Sequence, residues 1–279
     1  DGFVVVQLNS VSNFATVISV HSDIYMNSQV YCIDPNETKL VRIKDLFVVG
    51  ELQTPPRTCA YTVYSIEELL AVNVDGYVWI TSGYLEDFIK IGNQDLSEDL
   101  YEETSDYESW SKIWNDYWVD FFDSISLWSI WKNREVIPNI RSNVDVVSLY
   151  GFINDFQSVK NDQIYSIYLS NEQLSEDVNN KGDVVDVATK QAIDGSLNGY
   201  LEDISVDREQ ARVELFNGSK VNGLGARYER WFNNLGVDII RVQNAPGEWE
   251  KTTIYVTDIE EFSYTLNKII DLWGDDIKV

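Results

Sequence analysis

The chain has 279 residues, 44% hydrophobic and 13% aromatic, which is enough to bury a substantial core and to divide into two domains. Its formal charge of −25 excludes nucleic acid as a partner, because phosphate binding needs a basic footprint, and it repels an anionic membrane surface as well. The acidity reads as solubility, with cation binding or attachment to a basic partner as the alternatives.

In chain order, residues 1 to 20 alternate apolar and polar positions around the turn Asn9-Ser10-Val11-Ser12-Asn13, which predicts a hairpin. Residues 62 to 71 predict a helix capped around Ser65, with Glu68 at capping-box distance, and Val74 to Thr81 a strand. A short helix over Gly83 to Ile91 and an acidic loop over Ser97 to Asp106 follow. No apolar run approaches the ~20 residues a membrane-spanning helix needs, and no signal-peptide pattern opens the sequence, so any anchor or signal is expected outside these residues.

Tyr107 to Lys132 reads as one aromatic helix. Trp110, Trp114, Trp118, Phe121, Ile125 and Trp128 fall on one helical stripe, while Lys112, Asn115, Asp116, Asp120 and Asp123 sit mostly elsewhere. Such a stripe packs on a sheet as core, or serves as a partner interface.

Beyond Pro138, Ser142 is the expected N-cap of a helix through IRSNVDVVSLYGFINDF, with Asp145 at the capping-box position. Gln163 to Leu169 is a strand, Asn171 to Asp183 a polar loop, Asp183 to Ala188 a strand and Thr189 to Leu201 a helix. Residues 202 to 211 are the expected linker.

The next stretch, RVELFNGSKVNGLGARYERWFNNLGVDIIRVQNAPGEWEKTTIYV, spells a strand, the turn Asn217-Gly218-Ser219, a glycine-marked helix closed at Gly236, and two further strands. It resembles the LytR C-terminal domain, a module of bacterial cell-envelope proteins. That module commonly follows a LytR-CpsA-Psr domain. The first half of the chain is similar to one, in DGFVVVQLN, FATVISV and His21-Ser22-Asp23, and more closely in AYTVYSIEELLAVNVDGYVWITSGYLEDFIKIG.

That second resemblance implies a phosphotransferase that moves a polyprenyl-linked glycan onto peptidoglycan with Mg²⁺, its arginines gripping the pyrophosphate. Guanidinium forks match phosphate geometry and stabilise the charge of the transferred group. Here Ser22 stands where the motif's arginine belongs, and residues 108 to 134 carry two lysines and one terminal arginine in place of an arginine-rich stretch. Asp1 and Asp23 remain as candidate metal ligands. The family's tail-binding pocket adds a lipid groove to the readings of Trp110, Trp114, Trp118, Phe121 and Trp128. His21 replaces a family proline and reads as a strand-end residue rather than a base. In an envelope protein, Cys32 and Cys59 are expected to form a disulfide, with two buried thiols as the rival; their spacing does not suit zinc.

These observations predict an α/β protein: a mixed β-sheet with flanking helices over 1–201, a linker over 202–211 and a small α/β domain over 212–279. The expected role is non-catalytic: an envelope or cell-surface interaction protein outside the cytoplasmic membrane, without a cofactor, whose partner is an envelope protein, a glycan or a copy of itself. The active phosphotransferase, with Mg²⁺, is the alternative. Lys220, Arg227, Arg230, Arg241 and Lys251 gather cations in the last domain, where they form either a basic face for head-to-tail association or ordinary surface pairs.

Overall fold

The computed structural model describes residues 2–9, 13–28, 39–52, 59–80, 107–132, 140–169, 171–273 and 277–279. The opening hairpin forms as the alternation requires. β1 (Gly2–Asn9) pairs antiparallel with β2 (Phe14–His21), from Gly2 opposite His21 to Asn9 opposite Phe14. β2 is buried from Ala15 to Val20, because it runs between β1 and β7 (Ile164–Tyr168), which pairs with it in parallel. A second mixed sheet has the order β4-β3-β9-β8, built from β3 (Tyr25–Ser28), β4 (Lys39–Arg42), β8 (Leu174–Val178) and β9 (Val184–Ala188). A short pair joins β5 (Val78–Ile80) to β6 (Ile140–Ser142).

Helices cover both faces. α1 (Ile43–Leu52), α2 (Ala60–Leu70) and α6 (Lys190–Leu197) enclose the main core, where Leu46, Leu69, Leu70, Ile193 and Leu197 meet Ile18, Val20 and Ile24. On the other face α3 (Tyr107–Ser124) and α5 (Val146–Ser158) pack Trp118, Phe122 and Phe156 against Ala15 and Val17. Each fully buried Leu, Ile or Phe contributes ~1.5–3 kcal/mol over its exposed state. The architecture is therefore mixed α/β, as predicted.

Several elements depart from the sequence reading. α2 begins at Ala60, so Ser65 lies in mid-helix and is buried rather than capping. The aromatic helix breaks after Ser124, and α4 (Leu127–Lys132) starts a new axis. The Ser126 amide donates to Ser129 Oγ at 2.9 Å and the Ser129 amide to Ser126 Oγ at 3.2 Å, a reciprocal cap at the break. Asp145, not Ser142, caps α5, accepting from the amides of Val147 and Ser148 at 2.9 and 3.0 Å. β8 occupies the expected polar loop. The expected strand over 251–255 is reduced to one parallel bridge, Thr253 with Lys278. The predicted Gly83–Ile91 helix and Ser97–Asp106 loop lie outside the described residues.

In the C-terminal part, β10 (Arg212–Asn217) and β11 (Asp238–Asn244) pair in parallel through α8 (Leu224–Asn234), with α9 (Ser263–Trp273) behind. Gly225 permits the crossover to close tightly, since a Cβ there would fall 2.8 Å from Val242 Cγ1. Gly236 ends the helix at φ +90°, as the sequence predicts for a residue tolerant of left-handed angles. The segment expected as a linker contains α7 (Ile204–Glu209), whose Val206 enters the core of Leu215, Phe232, Val237 and Ile269. An apolar side chain within a polar stretch found a core to fill, and the tether became part of the domain.

Candidate functional site

The turn after β2 carries the most concentrated polar chemistry in the described first domain. β2 delivers His21, the turn delivers Ser22 and Asp23, and the antiparallel register of β3 with β4 sets Tyr25 opposite Arg42. The Lys44 amide donates to the Ser22 carbonyl at 3.0 Å and the Ile43 amide to the Ile24 carbonyl at 3.1 Å, fixing the start of α1 beside the turn. Two cations thereby reach Asp23: Lys44 Nζ bonds its carboxylate directly, and Arg42 Nη1 stands 3.6 Å away. The Arg42 fork also grips Asp45, at 2.9 and 3.2 Å.

Burial alone would raise the Asp23 carboxyl; the bond and charge of Lys44, with His21 and Arg42, outweigh it and hold the carboxyl below its usual range. For His21 burial dominates and lowers the imidazole pKa against the pull of Asp23. His21 Nδ1 accepts the Asp23 amide at 3.2 Å, and Trp110 meets the imidazole edge-on with centroids 4.6 Å apart. Ser22 is buried. Among the described residues the cluster thus holds two cations, Arg42 and Lys44, against two carboxylates, Asp23 and Asp45.

Among the described residues Asp23 is met by Lys44 and Arg42 rather than by further carboxylates, and no three His, Cys, Asp or Glu side chains cluster as metal ligands. Asp1 and Cys32 lie outside the described residues, so neither the Asp1–Asp23 pair nor the Cys32–Cys59 bridge is placed. Cys59 is buried at the start of α2. Sequence reasoning missed Arg42, Lys44 and Asp45, which only strand pairing brings to the turn.

The aromatic stripe is largely core. Trp110 and Phe121 are buried, Trp114 and Trp118 half-buried, and their rings run continuously from His21 through Trp110, Trp114 and Trp118 to Phe121 at 4.6 to 6.4 Å. Trp128 does not share that stripe. The Ser126–Ser129 break turns it outward, 68% exposed and stacked on Trp131 at 5.0 Å. Asn115, off that stripe as expected, is nevertheless fully buried and donates to the Ile167 carbonyl at 2.7 Å.

The expected basic face of the last domain is dispersed. Arg230 bonds Asp194 of α6 with two contacts of 2.6 Å, and Arg227 lies over the Tyr64 ring at 4.8 Å, so both face the first domain. Arg241 pairs with Glu214 at 3.5 Å and Lys220 with Glu248 at 3.3 Å. Lys251 is exposed. Arg227, Arg230, Arg241 and Lys220 are thus each engaged within the chain, as the alternative of ordinary pairs expects.

Residues 210–270 match the family model described as LytR cell envelope-related transcriptional attenuator, the segment whose glycine entry and NNLG helix end carry that resemblance. No significant match exists among curated proteins. Among solved structures, the chain is similar to a transcriptional regulator from Enterococcus faecalis (TM-score 0.53, 14% identity, 70% of this chain and 79% of that one). It is similar as well to TagV of Bacillus subtilis (TM-score 0.52, 13% identity, 70% and 85%) and to the putative transcriptional regulator ywtF of Bacillus subtilis (TM-score 0.51, 15% identity, 85% of each). At these identities the likeness is one of fold.

Proposed function

We propose, for a chain that joins a LytR-CpsA-Psr-like fold to a cell-envelope-related LytR C-terminal domain, a non-catalytic role as an interaction protein outside the cytoplasmic membrane. The observation that carries this reading is the charge balance at the His21–Asp23 turn. Arg42 and Lys44 are engaged by Asp23 and Asp45, and Ser22 is buried where the family motif has an arginine. A multiply charged phosphoryl group needs uncompensated positive charge to be bound and stabilised in transfer. Its partner is an envelope protein or glycan, and no resident cofactor is required.

The fold itself favours the second reading, a glycopolymer phosphotransferase. Incubating the purified protein with geranylgeranyl pyrophosphate and Mg²⁺ separates the two. We expect no phosphate release above the protein-free control. Turnover that disappears in Asp23→Ala overturns the non-catalytic reading in favour of phosphoryl chemistry at this site.

A further inference from the structure

The last carbonyls of a helix lack intrahelical donors and need partners from elsewhere. In α2 these are the carbonyls of Glu68, Leu69 and Leu70, with Ala71 closing the helix in the left-handed region. All four accept from side chains of α8, in the C-terminal domain. Arg230 Nη1 donates to Glu68 O and Nη2 to Leu69 O, each at 3.0 Å, while Asn234 Nδ2 reaches Leu70 O at 2.9 Å and Ala71 O at 3.2 Å. The same guanidinium is bidentate to Asp194. Arg227, one turn before Arg230, stacks on Tyr64 of α2.

The connection between the domains is held independently. Gln7 donates to Leu201 O at 2.9 Å, Thr16 to Tyr200 O at 2.7 Å and Asn9 to Glu202 O at 3.2 Å, tying the segment to the first sheet. At its far end the Asp203 amide donates to Leu235 O at 3.1 Å, and Lys268 pairs with the Asp203 carboxylate at 3.3 Å. A tether bonded at both ends leaves no slack for swinging.

We infer that the LytR C-terminal domain is an intramolecular clamp: Arg230 and Asn234 of α8 cap the C-terminus of α2 and lock the two domains into one cooperative body. Positively charged donors at a helix C-terminus complement the dipole there, so the clamp stabilises the helix it grips. Its specificity follows from spacing. Side chains at i and i+4 share one helix face, and the planar fork of Arg230 satisfies two carbonyls and a carboxylate together. The domain's α8 face is thus occupied by its own chain, and an outside partner must use another surface.

Hydrogen exchange and small-angle scattering on the full chain test this. In the double variant Arg230→Ala, Asn234→Ala, the amides of the last turn of α2 and of Val72 should exchange at least tenfold faster and the radius of gyration should rise, while β10 and β11 keep their protection. Asp194→Asn, which lies outside the C-terminal domain, should give the same α2 signature in smaller measure. If α2 exchange and the scattering profile match the unmodified chain in the double variant, the clamp is refuted. If the double variant loses β10–β11 protection, Asp194→Asn decides: faster α2 exchange upholds the clamp, and unchanged exchange overturns it.

Discussion

Truncating Phe121 and Trp128 separately distinguishes a structural stripe from a ligand-binding one. Phe121 is 1% exposed and its ring meets Trp118 at 5.2 Å and Phe122 at 5.6 Å, both edge-on. Removing a buried phenyl ring loses its transfer free energy and leaves a cavity, ~3–5 kcal/mol in total. The ring contacts place Phe121→Ala toward the upper part of that range. Trp128 lies on the far side of the Ser126–Ser129 break, 68% exposed, where truncation changes stability by about 0.5 kcal/mol or less. Urea unfolding followed by circular dichroism measures both without depending on indole fluorescence. Phe121→Ala should lower the midpoint strongly and Trp128→Ala hardly at all. A loss under ~1 kcal/mol for Phe121→Ala would show that its pocket collapses freely or normally holds something else, and the assignment of the stripe to the core would fall.

Two further outcomes follow from the buried and capping polar groups. Asn115→Ala should cost ~1–3 kcal/mol by leaving the Ile167 carbonyl without its donor, and Asn115→Asp more at neutral pH. Burial raises that carboxyl's folded pKa, so its penalty should grow as pH climbs from about 4, the unfolded value, toward the folded one; equal stability of the two variants from pH 4 to 7 contradicts this. Glu209 shows the opposite sign. Burial would raise its pKa, but the amides of Thr265 and Tyr264, at 2.8 Å each, hold it down. Its contribution is present above the ordinary Glu pKa and lost as pH falls through the depressed value. Melting curves of the unmodified chain and Glu209→Gln should differ at pH 7 and converge in acid, and a gap that persists at pH 2 argues against the capping role.

What was legible in the sequence was local. The hairpin follows from alternation between Gly2 and His21, and the C-terminal domain from Gly236 and the NGS turn, since each signal lies within one or two elements. The cluster at Asp23 was not legible, because Arg42 reaches it only once β4 pairs with β3. β8 falls where composition predicts a loop: LSEDV turns all but Leu174 to solvent, although its backbone pairs fully with β9. Asn115 falls on the polar side of a helical wheel, yet α3 is covered on that side by β7. The helix break at Ser126 could have been found, since Ser is a favoured N-cap from which a new helix starts. Arg230 and Asn234 carry no such signal, because their partners are carbonyls that any sequence possesses.

The parallel pairing of β2 with β7 bears on how this chain comes to be folded at all. Ala15 must find Ile164 and Gln7 must find Leu201, a separation of 194 residues in the latter case. While the N-terminal half emerges from the ribosome, one long edge of β2 stays unsatisfied, and its apolar residues Ala15, Val17 and Ile18 wait for a strand not yet synthesised. Folding is therefore expected to be slow and to complete only after release of most of the chain, as high contact order dictates. A chain that cannot close this sheet early stays open along that edge of β2 until β7 has been made.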